Sequence, residues 1–188
     1  MKQTDGGGEQ VNWDGPSAPY LAPRAPGEAD AWTDQTAREG RAGTQEIREV
    51  AEAVPPQEVA GALRLPAGAA AVVRRRTVFL DGAPVELVDS WYPASVAAGT
   101  ALAGPGKIKG GAVTLLAGMG YVARGALDDI SVRGATEAEA DLLAVSAGAP
   151  VIVVFRVVEA AETGVPFEAT VMTMVPEGRH LRYPLAAG

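Results

Sequence analysis

Cysteine is absent from this sequence, and histidine occurs once, as His180. The first absence excludes disulfides, thiolate nucleophiles and cysteine-ligated metals. The second excludes a metal site built on several histidines. Long apolar runs are missing too. None approaches the ~18 residues of a membrane-spanning helix, and the opening MKQTDGGGEQ carries no apolar stretch of the secretory kind. The expectation is a soluble cytoplasmic protein with no membrane partner. Basic charge is also scarce. Residues 1–50 hold 5 Lys/Arg against 9 Asp/Glu, and the remainder 11 against 14, for a net charge of −7. A domain that grips DNA by itself concentrates positive charge, so direct DNA binding by this chain is not expected.

What the chain does have is small apolar residues. Hydrophobic residues make up 47% of its 188 positions, mostly Ala and Val, enough for one domain of ordinary size and a tail. The 23 Gly and 14 Pro point to many turns and an unstructured region. That region is residues 1–43, where Pro16, Pro19, Pro23 and Pro26 interrupt any helix and apolar residues are sparse. We read it as disordered or loosely draped, with the folded domain over 44–188. Trp13, Tyr20 and Trp32 then read as isolated anchors on the domain or on a partner.

The folded part is organised around Ala71–Pro93, AVVRRRTVFLDGAPVELVDSWYP. Two β-rich runs, Val72–Leu80 and Val85–Trp91, flank Asp81-Gly82, a pair suited to the positive φ angles of a tight hairpin. Strand alternation puts Arg74 and Arg76 on one face and Arg75 on the other. Two guanidiniums on one face can hold one anionic group between them; the alternative is a solvated sheet face.

Around the hairpin, residues 45–54 fit a strand or a short helix, with strand preferred, and residues 57–65 a helix opened by Pro56. Residues 94–98 form a helical turn, and residues 112–119 a helix ending at Gly120. Lys107-Ile108-Lys109-Gly110-Gly111 is a glycine-rich helix start that could hold an anion, though it matches no nucleotide-binding fingerprint. No cofactor is expected. Residues 121–133 read as a strand. Thr136-Glu137-Ala138-Glu139 is a capping box that opens a helix over 137–145. Residues 151–158 are the best candidate for a central strand, followed by strands over 166–175 and 181–185. Hairpins outnumber crossovers, which points to an α+β domain with a mainly antiparallel sheet. The order helix, glycine, hairpin occurs twice, suggesting two similar units in one sheet.

That doubled pattern carries Val73-Arg74-x-Arg76, Asp81-Gly82-x-Pro84, Ser90-Trp91-Tyr92-Pro93, Thr136-x-x-Glu139-Ala140-x-x-Leu143 and Gly164-x-Pro166-x-Glu168. In this it resembles the UTRA domain, the effector-binding half of HutC-type regulators in the GntR superfamily. The resemblance covers about residues 44–185. Asp30-Ala31-Trp32, Gly99-Thr100-Ala101-Leu102, Ile108-x-Gly110-Gly111 and Met172-x-Met174 look like an actinobacterial branch.

The resemblance implies a chorismate lyase-like fold, a small-molecule effector and dimerisation. It also implies a winged helix-turn-helix upstream, and residues 1–43 show no such pattern. The expectation is an effector domain acting without its own DNA reader, as a homodimer or a heterodimer with a GntR-type regulator. Position by position, Arg74 and Arg76 match an arginine pair that grips an anionic group. Ser90 matches a small polar residue lining the pocket, and Glu168 an acid that accepts from ligand hydroxyls. Val88 stands where many members carry Glu, and Met174 where many carry a ligand-facing Tyr. A more apolar or a different acidic effector than a phosphosugar follows from those departures.

Enzymatic function is not expected. His180 has no serine in a nucleophile-elbow context, and Asp128-Asp129 place their carboxylates on opposite strand faces. Chorismate lyase-like chemistry would rest on fold analogy alone. Two readings stand beside each other: a ligand sensor, and a degenerate interaction module that binds a regulator without ligand.

Overall fold

The computed structural model describes Trp13–Asp14 and residues 20–25 and 28–181. Its centre is the hairpin of β3 (Ala71–Leu80) and β4 (Ala83–Pro93). The turn has φ of 49° at Asp81 and 81° at Gly82. Both values are positive, as a two-residue turn matching strand twist demands. Asp81 adds a side-chain anchor, accepting from the Ala42 N–H and from Arg41 Nε, each at 2.8 Å. The same contacts hold its carboxyl below the ordinary carboxylate range, the Ala42 N–H most of all.

The hairpin lies in a six-stranded sheet with β2 (Gly43–Ala53), β5 (Ala123–Gly134), β6 (Pro150–Ala160) and β7 (Pro166–Met174). The strand order is β2-β3-β4-β7-β6-β5, and every neighbouring pair is antiparallel. Among the described residues five helices complete the fold: α1 (Ala31–Arg38), α2 (Gln57–Ala62), α3 (Ala94–Ala97), α4 (Gly111–Gly118) and α5 (Glu137–Leu143). The doubled pattern is visible in this order. Helix α2 precedes β3 and β4, α5 precedes β6 and β7, and the second strands of the two hairpins pair at the middle of the sheet. Strand β6 is an interior strand, as its β-branched run suggests, but the central positions belong to β4 and β7. Two short strands, β1 (Trp13–Asp14) and β8 (Arg179–His180), form a separate parallel pair. The strand expected over 181–185 is not seen at Leu181, and 182–185 lie outside the described residues.

Alternation along β4 sorts the core into two layers. Leu87 and Trp91 face α5 and α2, in clusters with Leu143 and Val151 and with Val59 and Val73. Val88 and Tyr92 face the other way. Val88 packs with Trp32 and Val78, and Tyr92 with Leu102, Leu116 and Phe167. The capping box of α5 forms as read. Thr136 Oγ1 accepts from the Glu139 N–H at 3.3 Å, and Glu139 Oε2 from the Thr136 N–H at 2.9 Å.

The reading of residues 1–43 as disordered or loosely draped is corrected over 31–38, where the chain is helical. The prolines stop short of Asp30, whose carboxylate caps α1 by accepting from the Thr33 N–H at 3.0 Å. Trp32 is only 5% exposed, and its Nε1 donates to the Phe79 carbonyl at 3.1 Å. One buried indole therefore docks a helix that is otherwise polar. Glycine is required opposite it. A Cβ on Gly43 would stand 2.3 Å from Thr36 Oγ1 and 2.6 Å from Trp32 Nε1. The anchor expected at Trp13 concerns a side chain outside the described residues.

Candidate functional site

On the α1 side of the sheet lies a cavity of about 250 Å³. Its floor is the face of β3, β4, β7 and β6 that carries Arg76, Ser90, Thr170 and Arg156. Residues 20–24 and α1 form one wall, and the start of α4 another. The wall segment is tied down at several points. The Arg24 N–H donates to Thr114 Oγ1 at 3.0 Å, and the Tyr20 hydroxyl to Gln35 Oε1 at 2.5 Å. Thus part of the stretch read as disordered or loosely draped helps enclose the site, with Leu21 and Tyr20 packed on the core.

Four of the five residues expected to bind ligand line this cavity: Arg76, Ser90, Glu168 and Met174. Arg74 does not. It shares the face of Arg76, but its guanidinium is buried and donates to four loop carbonyls. These are Ala101 at 3.2 Å, Leu102 at 2.8 Å, Gly104 at 2.7 Å and Gly106 at 2.8 Å. Arg74 is a staple for the loop after α3, and burial lowers its pKa from the ordinary arginine value. The expected arginine pair is therefore divided between structure and cavity. Arg75 points to the other face, as alternation requires. There it bonds Asp89 at 3.1 Å and Glu49, over the Trp91 ring.

Arg76 is placed differently. Its Nη1 donates to Gln45 Oε1 at 3.2 Å and its Nη2 to Ser90 Oγ at 3.3 Å. Its Nε is buried with no hydrogen-bond partner among the described residues, a state shared by Nε of Arg24 and Arg48; what sets Arg76 apart is the lack of a carboxylate partner among those residues. The other cavity arginines are neutralised in place. Arg156 grips Asp128 through two contacts of 2.6 and 2.7 Å, and Arg179 meets Glu86 at 3.0 Å. Sequence reasoning missed these two pairs, because each joins residues far apart along the chain. It also missed Thr170, although the strand register places it opposite Ser90.

The two phenols at the cavity stay protonated. Burial pushes Tyr92 up, with the Glu168 charge adding to it, and burial together with Glu86 does the same to Tyr20. The glycine-rich start of α4 does border the cavity, with Gly110 and Gly111 at positive φ. Lys107 instead pairs with Asp30 at 3.6 Å and is largely exposed. His180 is exposed on β8 and also borders the cavity. Among the described residues no group of three or more His, Asp or Glu side chains could hold a metal. No described helix is long and apolar enough to cross a membrane.

The family model of the UTRA domain matches residues 38–177. This chain belongs to the UTRA domain family. Solved structures agree on the fold. The effector domain of PhnF from Mycobacterium smegmatis superposes with a TM-score of 0.71 at 18% identity, over 84% of this chain and 95% of that one. A GntR-family transcriptional regulator from Bacillus cereus gives 0.68 at 14% identity, over 77% and 99%. YydK from Bacillus subtilis gives 0.66 at 18% identity, over 77% of this chain and 64% of that one, so the match spans just under two thirds of YydK. No curated protein matches the chain by sequence. The UTRA match and these folds agree on an antiparallel α+β domain, as the sequence motifs imply.

Proposed function

We propose that this chain is the effector-sensing module of a HutC-type, GntR-family regulator, with a small molecule bound in the cavity between the sheet and α1. One observation carries the reading. Among the described residues Arg76 is a cavity-lining cation with no carboxylate partner, while Arg24, Arg156 and Arg179 are each paired with one. A guanidinium so placed is ready for an anionic group of a ligand. Ser90, Glu168 and Met174 complete the site, and Arg74 holds the loop beside it. The sensing unit includes α1 as well as residues 44–188, because α1 walls the cavity.

The module works as a homodimer or as a partner of an intact GntR-type regulator in the cytoplasm, and it does not hold DNA through these residues. The net charge of −7 supports the last point. The edge strand β5, with Leu127 73% and Val132 69% exposed, supports the first. Catalysis is not part of the proposal: Asp128 is committed to Arg156.

The test is a thermal-shift panel of acidic metabolites, amino acids and sugar phosphates on the whole chain and on Arg76→Met. A ligand at 100 times its dissociation constant should add about 2.7 kcal/mol of stability. At least one compound should raise the melting temperature of the parent and fail to raise that of Arg76→Met. A flat panel would reject the sensor and favour the interaction module.

A further inference from the structure

The charges facing the cavity are unequally matched. Arg24 meets Asp34 at 3.3 Å, Arg156 meets Asp128 at 2.6 Å and Arg179 meets Glu86 at 3.0 Å. Arg76 has no such partner among the described residues, and neither has Glu168, whose Oε1 accepts only from Thr170 Oγ1, at 2.8 Å. One cation and one anion are thus left over on the same floor.

A relay of hydroxyls joins them. Arg76 Nη2 lies 3.3 Å from Ser90 Oγ, Ser90 Oγ lies 3.0 Å from Thr170 Oγ1, and Thr170 reaches Glu168. A guanidinium only donates, an ionised carboxylate only accepts, and each hydroxyl has one proton. The polarity is therefore fixed: Arg76 donates to Ser90, Ser90 to Thr170, and Thr170 to Glu168. Two hydroxyls hold the charges too far apart to pair, and each end keeps unused hydrogen-bonding capacity. Beside the paired Arg156 and Glu86, the floor carries the apolar Val78, Val88, Val158, Met172 and Met174.

We infer that the effector is a zwitterion with an apolar body, its carboxylate on Arg76 and its ammonium on Glu168. This rests on the sensor reading above and names the ligand class for the same cavity. A phosphate monoester carries close to two negative charges at neutral pH. Here one of them would meet a single unpaired cation and the other would lie on a floor that also bears Glu168. A zwitterion satisfies both leftover charges at once, and its hydrocarbon covers the methionines and valines.

The experiment is calorimetric titration of the whole chain with 4-aminobutyrate, 5-aminopentanoate and 6-aminohexanoate. Hexanoate and hexylamine serve as probes lacking one charge, and glucose 6-phosphate as the competing class. At least one ω-amino acid should bind about tenfold or more tighter than either singly charged probe, given hydrogen bonds to two ionised groups. Arg76→Met should abolish binding of the ω-amino acid and of hexanoate. Glu168→Gln should reduce the ω-amino acid to the level of hexanoate while leaving hexanoate itself within about twofold. Melting curves without probe show whether each variant is folded, and the uncharged but polar Arg76→Gln replaces Arg76→Met if it is not.

Arg76-dependent binding of glucose 6-phosphate, tighter than that of every ω-amino acid, would overturn the zwitterion and leave the sensor reading intact. Binding by none of these probes would also overturn it, and the wider metabolite panel would then decide the sensor reading separately.

Discussion

Arg76 and Ser90 meet across neighbouring strands, Nη2 to Oγ at 3.3 Å, with Ser90 only 1% exposed. Ser90 is thus a buried hydroxyl between a cation and Thr170. Its replacement by Ala should cost about 1–2 kcal/mol of stability, since it leaves the Thr170 hydroxyl short of a partner. It should also free the Arg76 guanidinium to turn, weakening any ligand that requires its present orientation. Urea denaturation and ligand titration of Ser90→Ala check the two effects separately.

Arg74→Met should destabilise the fold more strongly than Arg76→Met. Four carbonyls between Ala101 and Gly106 would lose their shared donor, and hydrogen bonds to a charged group contribute about 1.5–3 kcal/mol each when the partner is stranded. A loss of about 3 kcal/mol or more in chemical denaturation is expected. A loss below about 1 kcal/mol would contradict the staple role.

Glu139 sets a pH dependence. Its bonds to Arg133, followed by those to Thr136, lower its carboxyl from the ordinary value of 4.5 to about 2, against an opposing effect of burial. The folded state therefore favours the ionised form. The stabilisation is complete above about pH 4.5 and drains away as pH falls toward 2. Glu139→Gln should flatten the stability profile in that window and leave its slope near pH 7 unchanged. Thr136→Ala removes the hydroxyl half of the capping box and should cost about 1 kcal/mol.

The strap over the cavity depends on Thr114, which accepts from the Arg24 N–H at 3.0 Å. Thr114→Val keeps the shape and removes the acceptor. Trypsin should then cleave after Arg24 faster, while global stability changes by less than about 1.5 kcal/mol. Ligand binding should slow that cleavage in the parent chain.

Local signals were the legible ones. Asp81-Gly82 announced the hairpin and Thr136-x-x-Glu139 the start of α5, because each motif satisfies its own backbone within a few residues. Alternation correctly put Arg74 and Arg76 on one face. It could not tell that loop carbonyls nearly thirty positions onward would claim Arg74, since a strand pattern gives direction and not partners. Helix α1 escaped for a similar reason. It docks through a buried indole and a buried Thr36 on an otherwise half-buried or exposed, mainly polar helix, and periodicity does not register so few anchors. The ion pair Arg156–Asp128 needed the strand register, which sequence alone leaves open.

The most direct test is the dissociation constant of the best compound from the metabolite panel, measured for the parent chain and for folded Arg76→Met. A loss of at least about tenfold with an unchanged fold is the expected result, as for a hydrogen bond between charged partners. Equal affinity in the two proteins would contradict the account, because the ligand would then be held somewhere other than the unpaired guanidinium of the cavity.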